Sequence, residues 1–293
     1  MDLNYSSVKN KNGYIAFSGI ALLLVMAIAC MPDPLPVKGL PTVKQQIVVS
    51  TQIIPDESLV VLLTKSFSAL DADSDTDPEE LLNEIGVNDA QVTVSGPAGT
   101  YRLNFLRFGF YGGINIPFEP GETYTLTVKS LSLGDVQATT TVQSQITFDQ
   151  IDASLYFNGF DDTLAQVTYQ FNDPPNKNYY MINVQEVEQE DIIQNAINPN
   201  AYTKIMTDED FQGQNFGETF RVFPREYEPG DTIAVTLSNI SSEYYDFIEK
   251  RIDNRYSFIE FLGEPVNYPS NVVGGKGFFN LYIPDIRFFV LEE

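Results

Sequence analysis

The chain has 293 residues with 17 basic and 40 acidic side chains, a net charge of −23, and it contains no histidine, no tryptophan and one cysteine. Lack of histidine removes Ser-His-Asp and Cys-His activation of a nucleophile and the usual zinc ligand, and so acidic a surface repels nucleic-acid phosphate. A single cysteine excludes an intrachain disulfide, so stability must come from packed cores, for which 21 Phe and 16 Tyr supply the apolar area.

Lys9 and Lys11 precede an uncharged stretch from Asn12 to Pro32, whose apolar part, Ile15 to Ile28, ends in Ala29-Cys30. A basic start, an apolar middle of about 7–15 residues and a small residue before the cut are the parts of a secretory signal. The sole cysteine at the cut makes it a lipoprotein signal over residues 1–29, although Ala27 stands where leucine is commoner. An uncleaved membrane helix over Gly13 to Met31 is the competing reading, and Gly13, Ser18 and Gly19 dilute it. Cys30 is therefore the predicted lipidation site. Several acyl chains anchor stably, because each buried CH₂ contributes about 0.8 kcal/mol and one chain alone is marginal. Residues 30–45, with Pro32, Pro34 and Pro36, read as a stiff lipidated tether. Cleavage removes Asp2, Lys9 and Lys11 and leaves 39 acids against 15 bases, a net charge of −24. In sequence this chain carries no basic run with which to lie on an anionic membrane.

Short alternating runs then give an all-β sandwich over residues 46–146. The predicted strands are Ile47–Val49, Leu59–Leu63, Gln91–Val94, Leu103–Phe108, Tyr124–Val128 and Val136–Val142. Between the second and third lies Asp71-Ala72-Asp73-Ser74-Asp75-Thr76-Asp77-Pro78-Glu79-Glu80. Alternating carboxylates can converge on calcium, which takes roughly six to eight oxygens. Counted from Asp73, acids fall at the first, third and fifth loop positions and Glu84 at the twelfth, which makes Asp71, Asp73, Asp75, Asp77 and Glu84 the candidate ligands. Pro78 occupies the position where such a loop needs glycine. A helix capped by Asp77, begun by Pro78, boxed by Glu80 and closed by Gly86 is the plainer reading. No other cofactor is indicated.

Glu119-Pro120-Gly121-Glu122-Thr123-Tyr124 recurs as Glu228-Pro229-Gly230-Asp231-Thr232-Ile233, each copy leading into an alternating strand. Pro-Gly suits a type II turn, since proline presets the first φ and glycine accepts the positive second one. The echo implies two sandwich-like units in tandem, the second β-rich over residues 147–293. Its predicted strands are Ser154–Asn158, Ala165–Phe171 and Tyr179–Val187. Gln189 to Glu218 reads as a polar loop and Thr207–Asp210 as solvated. An amphipathic helix is expected near 242–255, capped by Ser241-Ser242-Glu243, with Ile240, Tyr244, Ile248, Ile252 and Tyr256 as its core stripe. Gly277–Tyr282 and Ile286–Leu291 read as a closing hairpin. The clusters Phe105–Tyr111, Tyr179-Tyr180 and Tyr244-Tyr245 fit core packing better than a ligand groove. Gly274-Gly275 and Gly277 fit either a tight turn or a close backbone approach.

The order of a lipid cysteine, a proline-bearing tether, Ile47-Val48-Val49, Asn88 to Val94, Gly121 to Leu126, Phe171-Asn172-Asp173-Pro174 with Asn178-Tyr179-Tyr180, and Pro269 to Gly275 followed by Gly277-Phe278-Phe279 resembles the Bacteroidota outer-membrane lipoproteins classed as domain of unknown function 4249. The resemblance implies an outer-membrane lipoprotein with an immunoglobulin-like or transthyretin-like first unit, often found beside TonB-dependent transporter systems. It carries no catalytic residues over. Surface export in that group goes with acids just after the cysteine. Here only Asp33 follows, which leaves the membrane face open. The expectation is thus a mainly β, non-enzymatic accessory or binding subunit, anchored by lipid, with an outer-membrane β-barrel protein as partner. Capture of a glycan, peptide or metal at the cell surface is the alternative.

Overall fold

The computed structural model describes residues 44–53, 59–66, 78–157, 159, 163–187, 202–223, 226–254 and 268–292. Residues Gln45–Glu293 form one compact unit. The unit is mainly β and is built around two hydrophobic cores.

Seven strands form the first sandwich: β1 (Ile47–Ile53), β2 (Leu59–Lys65), β3 (Ala90–Gly96), β4 (Gly99–Phe105), β5 (Phe110–Gly113), β6 (Thr123–Ser130) and β7 (Gly134–Thr141). Strands such as β1, β6 and β7 alternate buried with less buried positions, as at Ile47, Val49, Thr51 and Ile53 in β1, so one face of each meets a common core, while β2 and β5 are covered on both faces. Hydrogen bonding runs continuously in the order β7-β6-β3-β4-β5-β2-β1, and β4 pairs with β3 over Gly99 to Leu103 and with β5 at Asn104 and Phe105. The ladder folds over at β4, which places β1-β2-β5-β4 opposite β3-β6-β7. That is the strand order of constant-type immunoglobulin domains. Tyr124, near the start of β6, adds that fold's tyrosine corner: its buried hydroxyl donates to Pro117 O (3.0 Å) and accepts from Glu119 N (2.9 Å). A short helix, α1 (Pro78–Ile85), lies over the outer side, where Leu82 packs on Val60 and Phe110.

The second sandwich has a three-stranded sheet, β8 (Phe148–Phe157), β9 (Thr163–Asn172) and β12 (Asn215–Arg221), in the order β12-β9-β8. Opposite it lie β10 (Tyr179–Glu186), β11 (Tyr202–Thr207), β13 (Thr232–Asn239) and β16 (Asp285–Val290), in the order β11-β10-β13-β16. Val167, Tyr169 and Phe171 from one sheet and Ile182, Val184, Val235 and Leu237 from the other share the core. Residues 189–218, expected to be a loop, contain all of β11 and the start of β12; β11, an edge strand, is half-buried throughout and lacks the alternation that marks a strand with one dry face.

The repeated Pro-Gly element has the same geometry in both sandwiches. Gly121 and Gly230 have φ of 83° and 101°, and Glu122 N and Asp231 N donate back to Glu119 O and Glu228 O. Each glycine then pairs with the end of the seventh strand, Gly121 N with Val142 O and Gly230 N with Leu291 O, both at 2.8 Å. The echo therefore marks a structural repeat, not a borrowed turn.

Between the sixth and seventh strands of the second sandwich the chain leaves it. Helix α2 (Ser242–Asn254), capped by Ser241 Oγ on Tyr244 N (3.2 Å), buries Tyr244 and Ile248 in the first core, with Ile252 beside them. The stretch 269–283 then straps the first sandwich. β14 (Val272–Val273) pairs antiparallel with β7, and β15 (Lys276–Phe278) pairs parallel with β1. Phe278, Phe279, Leu281 and Tyr282 are buried in the first core. Gly277–Tyr282 and Ile286–Leu291 therefore form no hairpin: the former pairs with β1 and the latter with β13, on different sandwiches. The strap glycines are required by proximity. A Cβ on Gly275 would lie 2.5 Å from Ile47 O, and on Gly277, at φ +92°, 2.0 Å from Val49 O. Among the described residues no helix is long and apolar enough to cross a membrane.

Candidate functional site

Two aspartates organise the loops at one end of the second sandwich. Asp173 follows β9; its carboxylate accepts Gly213 N at 2.6 Å, the Tyr180 hydroxyl, and Asn178 Nδ2 at 3.5 Å. Asp208 follows β11 and accepts Asn178 N at 2.7 Å. Both are buried, at 7% and 1% exposure. A buried carboxylate is costly unless hydrogen bonds replace its water, and backbone amides do so here. Burial, reinforced by the bond to Asp173, pushes the Tyr180 hydroxyl pKa well above its ordinary value. Asn178 links this network onward, its Oδ1 accepting Asn239 Nδ2 (3.1 Å) at the end of β13. Asp208, expected to be solvated, is thus a structural anchor.

Beside this network lies a cavity of about 570 Å³. Thr139–Thr141 and Gln143 from the end of β7 line one side, Lys177–Tyr179 and Asn239–Glu243 another, with Asn271 and Phe278 of the strap completing the wall. Much of its polar lining is engaged internally. Asn271 Nδ2 donates to Thr139 O (2.9 Å) and Phe279 O (2.7 Å), its Oδ1 accepts Phe279 N (2.9 Å), and Thr123 and Thr141 hydroxyls pair at 3.0 Å. Lys177 pairs with Glu209 at 2.9 Å, and both are exposed. Hydroxyls and amides in such a cleft suit hydrogen bonding to a neutral polar ligand.

A family described as a domain of unknown function, DUF4249, matches residues 33–284. The chain belongs to that family. Among curated proteins none matches it. Among solved structures, a two-domain fibronectin type III segment of chicken tenascin is 11% identical, with 67% of this chain and 90% of that one covered and a TM-score of 0.20. A Salmonella alpha-2-macroglobulin mutant is 13% identical, with 70% of this chain and 14% of that one covered and a TM-score of 0.18. Neither likeness is close enough to transfer fold or function.

Within this DUF4249 chain, the segments that carried the resemblance are scaffolding. Asn88 Oδ1 accepts Gly109 N (2.8 Å), Asp173 and Asn178 belong to the buried network, and Asn271 to Phe279 form the strap. Cys30, Asp71, Asp73, Asp75 and Asp77 lie outside the described residues, and Glu84 is exposed on α1. Among the described residues no group of three or more His, Cys, Asp or Glu side chains is placed to hold a metal ion. Phe110, Tyr111, Tyr180 and Tyr244 are buried in the cores as expected, whereas Phe105 is exposed and Tyr179, whose ring meets Tyr245 at 5.2 Å, lines the cleft. Asp173 and Asp208 were missed as anchors because their closest amide partners, Gly213 N and Asn178 N, are main-chain groups about 30 to 40 residues away, which leave no residue signature.

Proposed function

We propose that the mature protein is an outer-membrane lipoprotein, held by acyl chains on Cys30, that acts without catalysis as an accessory subunit of an envelope complex. Its partner is a β-barrel membrane protein such as a TonB-dependent transporter. The carrying observation is the run from Lys9 to Cys30, where the only thiol of the chain stands at a signal-peptide cut. Membership of DUF4249 supports the reading, and so does a histidine-free chain whose most conspicuous polar network is spent on fixing loops. Purification in mild detergent at native expression should recover a stoichiometric β-barrel protein. Repeated recovery of the lipoprotein alone would refute the partnership.

The 570 Å³ cleft supports a second reading, capture of a small polar ligand such as a glycan or peptide at the cell surface. Protease added to whole cells separates the two in part, because a protein facing the periplasm is protected and cannot take an external ligand. The acidic segment Asp71–Glu84 belongs to the same reading as a calcium loop. Calorimetry would remove it if millimolar calcium produced no heat.

A further inference from the structure

The two most exposed large apolar side chains among the described residues are Leu131, at 94%, and Val273, at 75%. They lie 142 positions apart in sequence, yet Leu131 is in the β6–β7 turn and Val273 pairs with Gln137, three residues along β7 from Gly134. Leu131 tips the β6–β7 turn, in which Ser130 pairs with Gly134; Val273 ends β14, and a Cβ on the next residue, Gly274, would lie 3.0 Å from Asp135 O. The chain enters at this end too. Gln46 N donates to Ser66 Oγ at 2.9 Å, and Ile47 O lies against Gly275.

Leu131 is held outward. Asp89 accepts Ser130 Oγ and Ser132 N, both at 2.8 Å, so one carboxylate grips the turn on either side of the leucine. These bonds outweigh partial burial and keep the Asp89 carboxyl below its ordinary pKa, so it stays ionised and gripping. Lys65, Lys129 and Lys276, three of the seven described lysines, stand at the same end: Lys65 faces Ile47 across β1–β2, Lys276 is the parallel partner of Val48, and Lys129 faces Asp135. A chain with no basic run in sequence thus collects lysines here by topology, with Asp89 and Asp135 among them.

We propose that this end of the first sandwich rests on the lipid surface, with Leu131 and Val273 entering the headgroup layer and the three lysines reaching phosphate beside them. The proposal rests on acylation of Cys30. Fifteen residues, Cys30 to Lys44, join the acyl chains to this end, and span at most about 50 Å fully extended. Two aliphatic side chains bind a bilayer weakly by themselves. A tether that holds them at high local concentration makes weak contact persistent.

The full mature lipoprotein carrying Leu131→Cys, Val273→Cys or Ala98→Cys can be labelled with an environment-sensitive fluorophore in phosphatidylethanolamine–phosphatidylglycerol vesicles. Ala98 is exposed at the far end, beyond the seven residues of β3, about 23 Å away. Headgroup-quencher lipid should quench positions 131 and 273 at least about twofold more than position 98. Equal quenching at all three positions in a protein with acylated Cys30 overturns the docking face and leaves the anchor standing. The unsubstituted chain distinguishes the failures: if it takes the label, its Cys30 thiol is free, and both the anchor and the docking face fall.

Discussion

The two sandwiches share a plan and differ in how they are held. In the first, the fourth strand, β4, bonds to both its sheet neighbours and the ladder folds over through it; in the second, β11 joins only β10, so the sheets stay separate. Across the other seam of the second, Leu155 N reaches Glu292 O at 3.3 Å, whereas the first has the strap seated on both β1 and β7. Tyr124 fixes the corner of the first, while the matching position in the second is the buried Ile233. The second relies on packed rings, with Phe211 and Phe216 stacked at 4.0 Å and Phe171 against Tyr180 at 4.8 Å. One architecture is thus completed from outside by a distant segment and elsewhere from within by aromatic packing.

That contrast is open to breakage. Gly277→Val should have the largest effect, because the new side chain meets Val49 O on a backbone with φ +92°. A cost of about 4 kcal/mol is expected, and hydrogen exchange should open β1 while β10 stays protected; equal loss in both sandwiches would refute the strap's separate role. Tyr124→Phe strands Pro117 O and Glu119 N and should cost about 2 kcal/mol in denaturant unfolding. The counterpart Ile233→Val should cost only about 1 kcal/mol.

Alkaline pH probes both cores together. Burial raises the pKa of Tyr169 and Tyr180 in the second core and of Tyr244 and Tyr282 in the first. The folded state therefore holds these protons after the unfolded chain releases them. Their contribution is complete below about pH 10 and lost above it, each tyrosine removing about 1.4 kcal/mol per pH unit. Phenolate absorbance from these residues should appear only with unfolding; its appearance in folded protein would refute their burial. Smallest of all, Lys177→Ala removes an exposed ion pair with Glu209 and should leave the denaturant midpoint unchanged.

Strands with one dry face were legible from alternation, and the Pro-Gly echo found a repeat that extends to the closing strand. Helix α2 was legible from its four-residue stripe and serine cap. The strap was not, because choice of a distant partner leaves no mark in local pattern: Gly277-Phe278-Phe279 looks like half a hairpin until β1 is in place. β11 was hidden by its position at a sheet edge, where all six residues are half-buried. The lysines around Leu131 were invisible for the same reason as the strap, since only the topology brings residues 65, 129 and 276 to one end.

The parallel pairing of β1 with β15 matches Val48 with Lys276. Synthesis proceeds from the amino terminus, so β1 must wait for Lys276–Phe278, more than 200 residues later, before its edge is sealed. During that delay an apolar ribbon is bare and prone to mispair. Folding of this chain therefore depends on β1 staying shielded until the strap arrives.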